Sequence, residues 1–283
     1  MGMGILYVVG TPIGNLEDLT YRAARILGQV GLVAAEDTRV SRRLLNHLGI
    51  RVPMTSYNQH NQRAKSPAIL EALAEGDVAL VTDAGMPGIS DPGAELVVLA
   101  AGAGFVVEVV PAVSAVTTAI AASGLTGDAF MFLGFLPRRS RDRRALLQTI
   151  ASSPLTLVIF EAPHRVRFAL NDLLAVLGDR DIAVCREMTK LHQEVWRGPI
   201  SQAIPYFAAP RGEFTLVVRG AAAEQASAGP ASSDLELARQ RLLRLREDGI
   251  PARDAVAMVS ESLGIPRNAV YRLWLDGAGR SPD

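Results

Sequence analysis

Short, nearly unbroken runs of Val, Leu, Ile and Ala recur along the first 220 residues of this chain, each followed by a stretch with helical spacing. The runs in the first 125 residues are ILYVVG (5–10), GLVAAED (31–37), DVALVTD (77–83) and FVVEVV (105–110). A strand that is apolar at successive positions needs cover on both faces, and that requirement points to a mainly parallel sheet between two helical layers. Helices are expected near 20–29, through Arg42, Arg43, Leu44, Leu45 and Leu48, and near 62–75, 93–101 and 114–123. The pattern restarts at AFMFLGF (129–135) and continues through PLTLVIF (154–160), DIAVCRE (181–187) and GEFTLVVRG (212–220), with helices near 141–151 and 164–177. This predicts a second α/β unit with its own core.

The expected organisation is an N-terminal α/β domain over 1–124, a second over 125–221, a linker at 222–233 and a C-terminal helical segment at 234–275. The linker, within AAAEQASAGPASS, is rich in Ala, Ser and Gly. Beyond it, helical patterns at 234–247, 252–263 and 266–275 are punctuated by Gly249-Ile250-Pro251 and Gly264-Ile265-Pro266. This segment reads either as a helix-turn-helix or as a small bundle packed on the body through Val256, Val259, Leu263, Val270 and Leu273. The second reading is preferred because apolar residues at helical spacing are most often core. Val109 to Gly127 is uncharged, but its Pro, Ser, Thr and Gly content suits a strand end and a core helix better than a membrane span. A lone Cys185 permits no internal disulfide, and four dispersed His give no metal pattern, so no metal and a cytoplasmic location are expected.

Net charge is zero, with 29 basic and 29 acidic side chains, which argues against a basic surface that binds nucleic acid everywhere. The charge is unevenly placed: residues 1–111 carry 8 basic and 11 acidic groups, residues 112–221 carry 13 and 9. The run PRRSRDRR (137–144) supplies much of that excess, and Arg138, Arg139, Arg141, Arg143 and Arg144 are the candidate contacts to an RNA backbone, because guanidinium binds phosphate in bidentate fashion.

Ligands in open α/β sheets bind at loops leaving strand ends. GTPIGNLEDLT (10–20) lacks both a Walker lysine and G-x-G-x-x-G. TDAGMPGISDPG (82–93) concentrates Gly, Pro and Asp in a way that suits a small polar ligand or, equally, a tight connection. AAEDTR (34–39) offers Glu36, Asp37 and Arg39, with Asp37 also placed to cap the next helix. SYNQHNQR (56–63) reads as a solvated loop around His60. FEAPHR (160–165) puts Glu161 at a strand end beside Arg165 and His164, and REMTKLHQEVWRG (186–198) collects Glu187, Lys190 and Glu194, either in a cleft or as a surface ion-pair network.

Seven motifs, LYVVGTPIGNLEDLTYRA, AAEDTR, TDAGMPGISDPG, FLGFLP, FEAPHR, REMTKLHQE and GEFTLVV, stand together in an order that resembles the tetrapyrrole-methylase-fold methyltransferases. The resemblance spans roughly 4–275 and is nearest to the branch that 2′-O-methylates a cytidine in the decoding region of 16S rRNA. It implies two α/β domains of the class III methyltransferase type with a cleft between them, S-adenosyl-L-methionine (SAM) as methyl donor, a homodimer, and 16S rRNA or the 30S subunit as partner. Family cofactor contacts carry over to Pro12, Gly14, Asp83, Gly85, Ile89, Ser90, Ser114, Ala115, Phe160, Glu161, Gly212, Glu213 and Phe214. The chain has PAVSA where the family commonly has PGPSA, placing Ala112 and Val113 there, and Gln59 where Glu is frequent. Two other readings share the motifs: a methylase of tetrapyrroles or other small molecules, and a SAM-sensing RNA-binding protein without catalysis.

Methylation of a ribose hydroxyl requires in-line alignment of oxygen, methyl and sulfur, and a group that takes or orients the hydroxyl proton. Glu36, Asp37, His60, Glu161, Glu187 and Lys190 are candidates. The expected catalytic set is Asp37, Arg39, Glu187 and Lys190, with Lys190 requiring a lowered pKa to act as a base.

Overall fold

The computed structural model describes residues 4–125, 129–222, 232–263, 265 and 267–276. The chain divides into two compact units, Met1–Gly220 and Ala221–Asp283. Both α/β halves therefore lie within one unit.

The first half is a five-stranded parallel sheet: β1 (Ile5–Val9), β2 (Leu32–Ala35), β3 (Met54–Ser56), β4 (Val78–Val81) and β5 (Val106–Val110), in the order β3-β2-β4-β1-β5. Helices α1 (Tyr21–Leu27), α2 (Thr38–His47), α3 (Gln62–Glu75), α4 (Ala94–Gly102) and α5 (Ala115–Ser123) connect them or follow β5. The unbroken apolar runs have the cause inferred for them. In β4, Val78 and Leu80 enter a core with Leu6, Tyr57, Ile69, Leu73 and Leu96. The alternate residues Ala79 and Val81 enter another with Val9, Ile26, Leu27, Val33 and Leu44. Successive side chains point to opposite faces, so both faces of the central strand are apolar.

The second half is a mixed sheet in the order β6-β7-β10-β8-β9. It comprises β6 (Phe130–Phe135), β7 (Thr156–Glu161), β8 (Asp181–Arg186), β9 (Glu194–Pro199) and β10 (Phe214–Val218). β6 runs parallel to β7, and the other pairs are antiparallel. Helices α6 (Ser140–Thr149), α7 (Pro163–Leu177) and α8 (Ile200–Tyr206) cover one face through Leu147, Leu170, Leu173 and Ile200. The other face takes α5: Ala119 packs with Ala183, Cys185 and Val217, joined by Ile13 and Met188. The helix expected to close the first half thus covers the second sheet, and Arg197 ties it down by donating to the carbonyls of Ala122 and Ser123. Sequence gave no sign of this, since a small-residue helix looks the same whichever sheet it serves.

β3, β9 and α8 were not anticipated. β9 was hidden in a polar segment because it is an edge strand with half-exposed positions. The loop expected around His60 contains Tyr57, fully buried at 0% exposure, with its hydroxyl 3.3 Å from Ser66 Oγ.

The second unit contains α9 (Ser232–Glu247), α10 (Ala252–Leu263) and α11 (Arg267–Asp276). Val256, Val259 and Val270 form its core with Ala238, Leu242, Ala255 and Ile265, with Leu263 and Leu273 packed against them. The apolar stripe expected to bind the body is therefore used inside the unit. Arg246 lies over the Trp274 ring, 4.2 Å from its centroid, and donates to the Trp274 carbonyl. The expected linker at 222–233 lies mostly outside the described residues. Among the described residues no helix is long and apolar enough to cross a membrane.

Candidate functional site

The loops leaving β1 and β4 are stitched to each other. Thr11 and Gly85 exchange backbone hydrogen bonds at 2.8 and 3.1 Å, and Thr11 Oγ1 donates to the Thr82 carbonyl at 3.0 Å. Gly10 is required at this crossing, because a Cβ there would lie 2.4 Å from Met86 Sδ and 2.5 Å from the Ala112 Cβ. Ala112, where the family commonly has glycine, closes over the same point. Across the cleft, Gly14 fits under Lys190, whose Cγ would be 2.5 Å from an added Cβ.

These loops and the second sheet enclose a cleft of about 400 Å³, within the range of small-molecule sites. Of the expected cofactor contacts, Asp83, Gly85, Ile89, Ser90, Ser114, Ala115, Phe160, Glu161, Glu213 and Phe214 line it. Pro12 and Gly14 instead line a second cleft of about 350 Å³, together with Val40, Arg43, Leu44 and Lys190. Ile13, Asp83, Ala84 and Glu213 border both clefts. Gly212 lines neither; with φ of +86° it packs against Glu187, whose Cγ would be 2.5 Å from an added Cβ.

Backbone strain concentrates here. The non-glycine residues with positive φ among the described residues are Ser90 (64°), Glu187 (50°) and Thr189 (66°). Such conformations persist only where surroundings enforce them, and they gather at functional sites.

The first half gives the cleft three carboxylates. Glu36 Oε2 accepts from the Asp83 N–H at 3.2 Å, and Asp83 Oδ1 accepts from the Asp37 N–H at 3.1 Å. Burial raises the pKa of Glu36 and of Asp83, and neighbouring carboxylates add to it. Asp91 is pushed up to about 7, first by burial and then by the charges of Glu36 and Asp83. Within its motif nothing in the local sequence marks Asp91 for this role, because Glu36 acts on it from another strand end. Met86 lines the cleft within the segment the resemblance marks, and Phe135, Met188 and Thr215 line it unanticipated.

The second half contributes Glu161, 2% exposed. Its Oε1 accepts from the Ala162 N–H at 3.0 Å and pairs with Arg165 Nε at 3.2 Å, whereas Oε2 is buried without a partner. Burial raises its pKa against the opposing pull of the Ala162 N–H and Arg165.

The expected catalytic residues divide. Asp37 caps α2, accepting from the Arg39 N–H at 2.8 Å, and the Arg39 guanidinium grips it at 2.6 Å. That grip holds its pKa down to about 2. A carboxylate so occupied is a poor base, and neither Asp37 nor Arg39 lines either cleft. Lys190 Nζ donates to Glu187 Oε1 at 3.0 Å and Glu213 Oε2 at 2.8 Å. Burial alone would lower its pKa, but the two carboxylates outweigh burial and raise it. This corrects the expectation of Lys190 as base: it is a fixed cation. Burial opposes ionisation of Glu187, but the Glu213 N–H and Lys190 prevail and hold its pKa low.

The arginine run also divides. Arg138, Arg139, Arg141 and Arg144 are exposed, but Arg143 is only 4% exposed. Its Nε donates to Asp172 Oδ2 at 2.7 Å, and Arg144 Nε donates to Oδ1 at 2.5 Å. Arg143 therefore fastens α6 to α7 and has no surface to offer RNA, a correction to its assignment.

Residues 5–204 match the family described as Tetrapyrrole (Corrin/Porphyrin) Methylases, and residues 232–277 match the RsmI C-terminal HTH domain. Among solved structures, the methyltransferase CobJ superposes with a TM-score of 0.60 over 77% of this chain and 95% of its own, at 21% identity. Fold and cleft define a methyltransferase of the tetrapyrrole methylase type. Ribosomal RNA small subunit methyltransferase I of Synechocystis sp. is 44% identical over 97% of this chain and 98% of its own length. The Thermotoga maritima protein of that name is 48% identical over 77% of this chain and 99% of its own. The chain belongs to the ribosomal RNA small subunit methyltransferase I family.

Proposed function

We propose that this protein transfers a methyl group from SAM to the 2′-hydroxyl of a cytidine in the decoding region of 16S rRNA. The supporting observation is the pair of clefts that share a wall at Asp83 and Glu213. The main cleft suits SAM in size and charge. Phe135, Phe160, Phe214 and Ile89 offer apolar cover for an adenine, while Glu36, Asp83, Asp91 and the unpartnered Glu161 Oε2 await donors and positive charge. When bound, SAM supplies an electrophilic methyl on a positively charged sulfur.

In this reading the target ribose enters by the second cleft, past Val40, Arg43 and Leu44. Asp83 and Glu213 stand where the clefts meet; Glu213 is held by Lys190, so Asp83, which no ion pair occupies among the described residues, takes the hydroxyl proton as the oxygen attacks. Burial lifts the basicity of Asp83 and suits it to that task. Lys190, held cationic against Glu213, stabilises the negative charge developing on the attacking oxygen. A homodimer and a cytoplasmic location are part of the proposal. The edge strand β5, with Val106 59% and Val109 52% exposed, gives such a dimer an unpaired apolar border.

The test is incubation with labelled SAM and either 30S subunits, naked 16S rRNA or small tetrapyrroles, followed by mapping of the label. Label on a cytidine ribose of 16S rRNA is the expected result. Label on a tetrapyrrole, or on no substrate, would refute the proposal.

A further inference from the structure

With Arg143 and Arg144 bound to Asp172, the question is what else on the second half can hold RNA. On α7, His164, Arg167, Phe168 and Asn171 fall at intervals of three and four residues and share one face. All four are exposed, Phe168 by 66%. With Pro163 and Pro210 they line a pocket of about 370 Å³. Pro163 also lines the main cleft, so the pocket begins at the edge of the proposed active site.

The chemistry of this face is specific. A single exposed phenyl ring is ordinary, but here it stands in a pocket beside a guanidinium, an imidazole and an amide. The one carboxylate of α7, Asp172, is buried against α6, so the exposed face carries no acid. Arg167 makes no ion pair among the described residues, and Arg211, next to Pro210, is exposed as well. Asn171 Nδ2 donates to the Arg167 carbonyl at 2.7 Å, which fixes the amide and leaves Oδ1 to accept. Aromatic ring, cation and fixed amide together are what an unpaired nucleotide requires: stacking, phosphate pairing and a base-edge contact.

We propose that the α7 pocket holds an unpaired nucleotide of the RNA substrate outside the methylated residue. Its base stacks on Phe168, its phosphate meets Arg167, and Asn171 Oδ1 accepts from an amino group on the base. This rests on the RNA reading above. A protein partner would need a wider apolar patch than one ring among polar groups.

The experiment uses the full chain with 30S subunits and 16S rRNA, comparing wild type with Phe168→Ala, Phe168→Trp and Arg167→Ala. Phe168→Ala is expected to raise the KM for RNA about tenfold, with kcat and SAM affinity unchanged. Phe168→Trp, which keeps a stacking surface, restores the wild-type KM. Arg167→Ala reduces the salt dependence of RNA binding by about one phosphate contact. Ultraviolet cross-linking should join rRNA to a peptide containing Phe168. If wild type methylates rRNA and both alanine variants keep its KM, the pocket is not an RNA site, although the functional reading stands. A cross-link to a ribosomal protein at Phe168, without rRNA, also overturns the inference. If wild type transfers no methyl to rRNA, the functional reading and this inference fall together.

Discussion

The two sides of the site, first half and second half across the paired clefts, handle charge in opposite ways. On the first-half wall, Glu36, Asp83 and Asp91 crowd one another, no cationic side chain forms an ion pair with them among the described residues, and all three pKa values are raised. On the second-half side, Glu187 and Glu213 share Lys190, and Glu161 pairs with Arg165 through one oxygen. The first wall is left electrostatically unsatisfied; on the second, Lys190 and its two carboxylates are paired before anything binds, and Glu161 Oε2 is left without a partner. A wall of uncompensated carboxylates loses free energy through burial and mutual repulsion, and an incoming cation restores it. Prearranged ion pairs gain little from a ligand but need no reorganisation when charge moves during a reaction. Under the proposed function, a positively charged cofactor belongs at the first wall and support of the reacting oxygen at the second.

The largest test of this division is Lys190→Ala. Removing the cation should lower single-turnover methyl transfer about 100- to 1,000-fold, the usual cost of one transition-state electrostatic contact. SAM affinity should change little, because Lys190 lines only the second cleft. Lys190→Arg should recover part of the rate. Full transfer by Lys190→Ala would show that the paired wall is only structural.

The reverse effect is expected from Asp83→Asn and Glu36→Gln. Each removes negative charge from the unsatisfied wall, and SAM affinity, measured calorimetrically, should fall about 10-fold or more. Asp83→Asn should also slow transfer, because Asp83 borders both clefts, whereas Glu36→Gln should leave the rate at saturating SAM unchanged. Equal losses of affinity from Lys190→Ala and Glu36→Gln would erase the distinction between the walls.

Much of this was legible in the sequence, and the failures have physical causes. The apolar runs revealed the buried strands because period-two alternation with both faces covered leaves no other pattern. The family resemblance carried over most of the residues that line the cleft, Gly85 and Ser90 among them, whereas composition alone left their loop open between a ligand site and a tight connection. Pairing was not legible. Lys190 looked like a candidate base because sequence does not show that Glu213, 23 residues on, returns to within 2.8 Å of its Nζ. Arg143 looked like its neighbours in PRRSRDRR because its burial depends on Asp172 in the next helix. Asp37 was readable both as a cap and as a carboxylate that takes or orients the hydroxyl proton, and only its bonds to Arg39 favour the cap.

The smallest expected effect is the most specific to the unsatisfied wall, and it appears as a dependence on pH. Asp91 has a pKa of about 7 in place of its ordinary 3.8. The folded protein therefore holds a proton that the unfolded chain releases. Asp91's contribution to stability is fully present below the ordinary value and is lost as pH rises through about 7. Binding has the opposite slope. A cation in the cleft favours ionised Asp91, so SAM affinity should rise with pH across the same range, with uptake of the ligand releasing part of a proton. The change should be modest, roughly 2- to 5-fold, because Asp91 is partly exposed to solvent. Asp91→Asn should flatten both curves: ligand-free thermal stability should lose its decline toward alkaline pH, and SAM affinity should lose its rise. Calorimetry at pH 6 and pH 8 in buffers of different ionisation enthalpy would separate proton release from the binding heat. If wild type and Asp91→Asn release the same number of protons on binding SAM, the first wall is not waiting for a cation at Asp91, and the contrast between the walls narrows to Glu36 and Asp83.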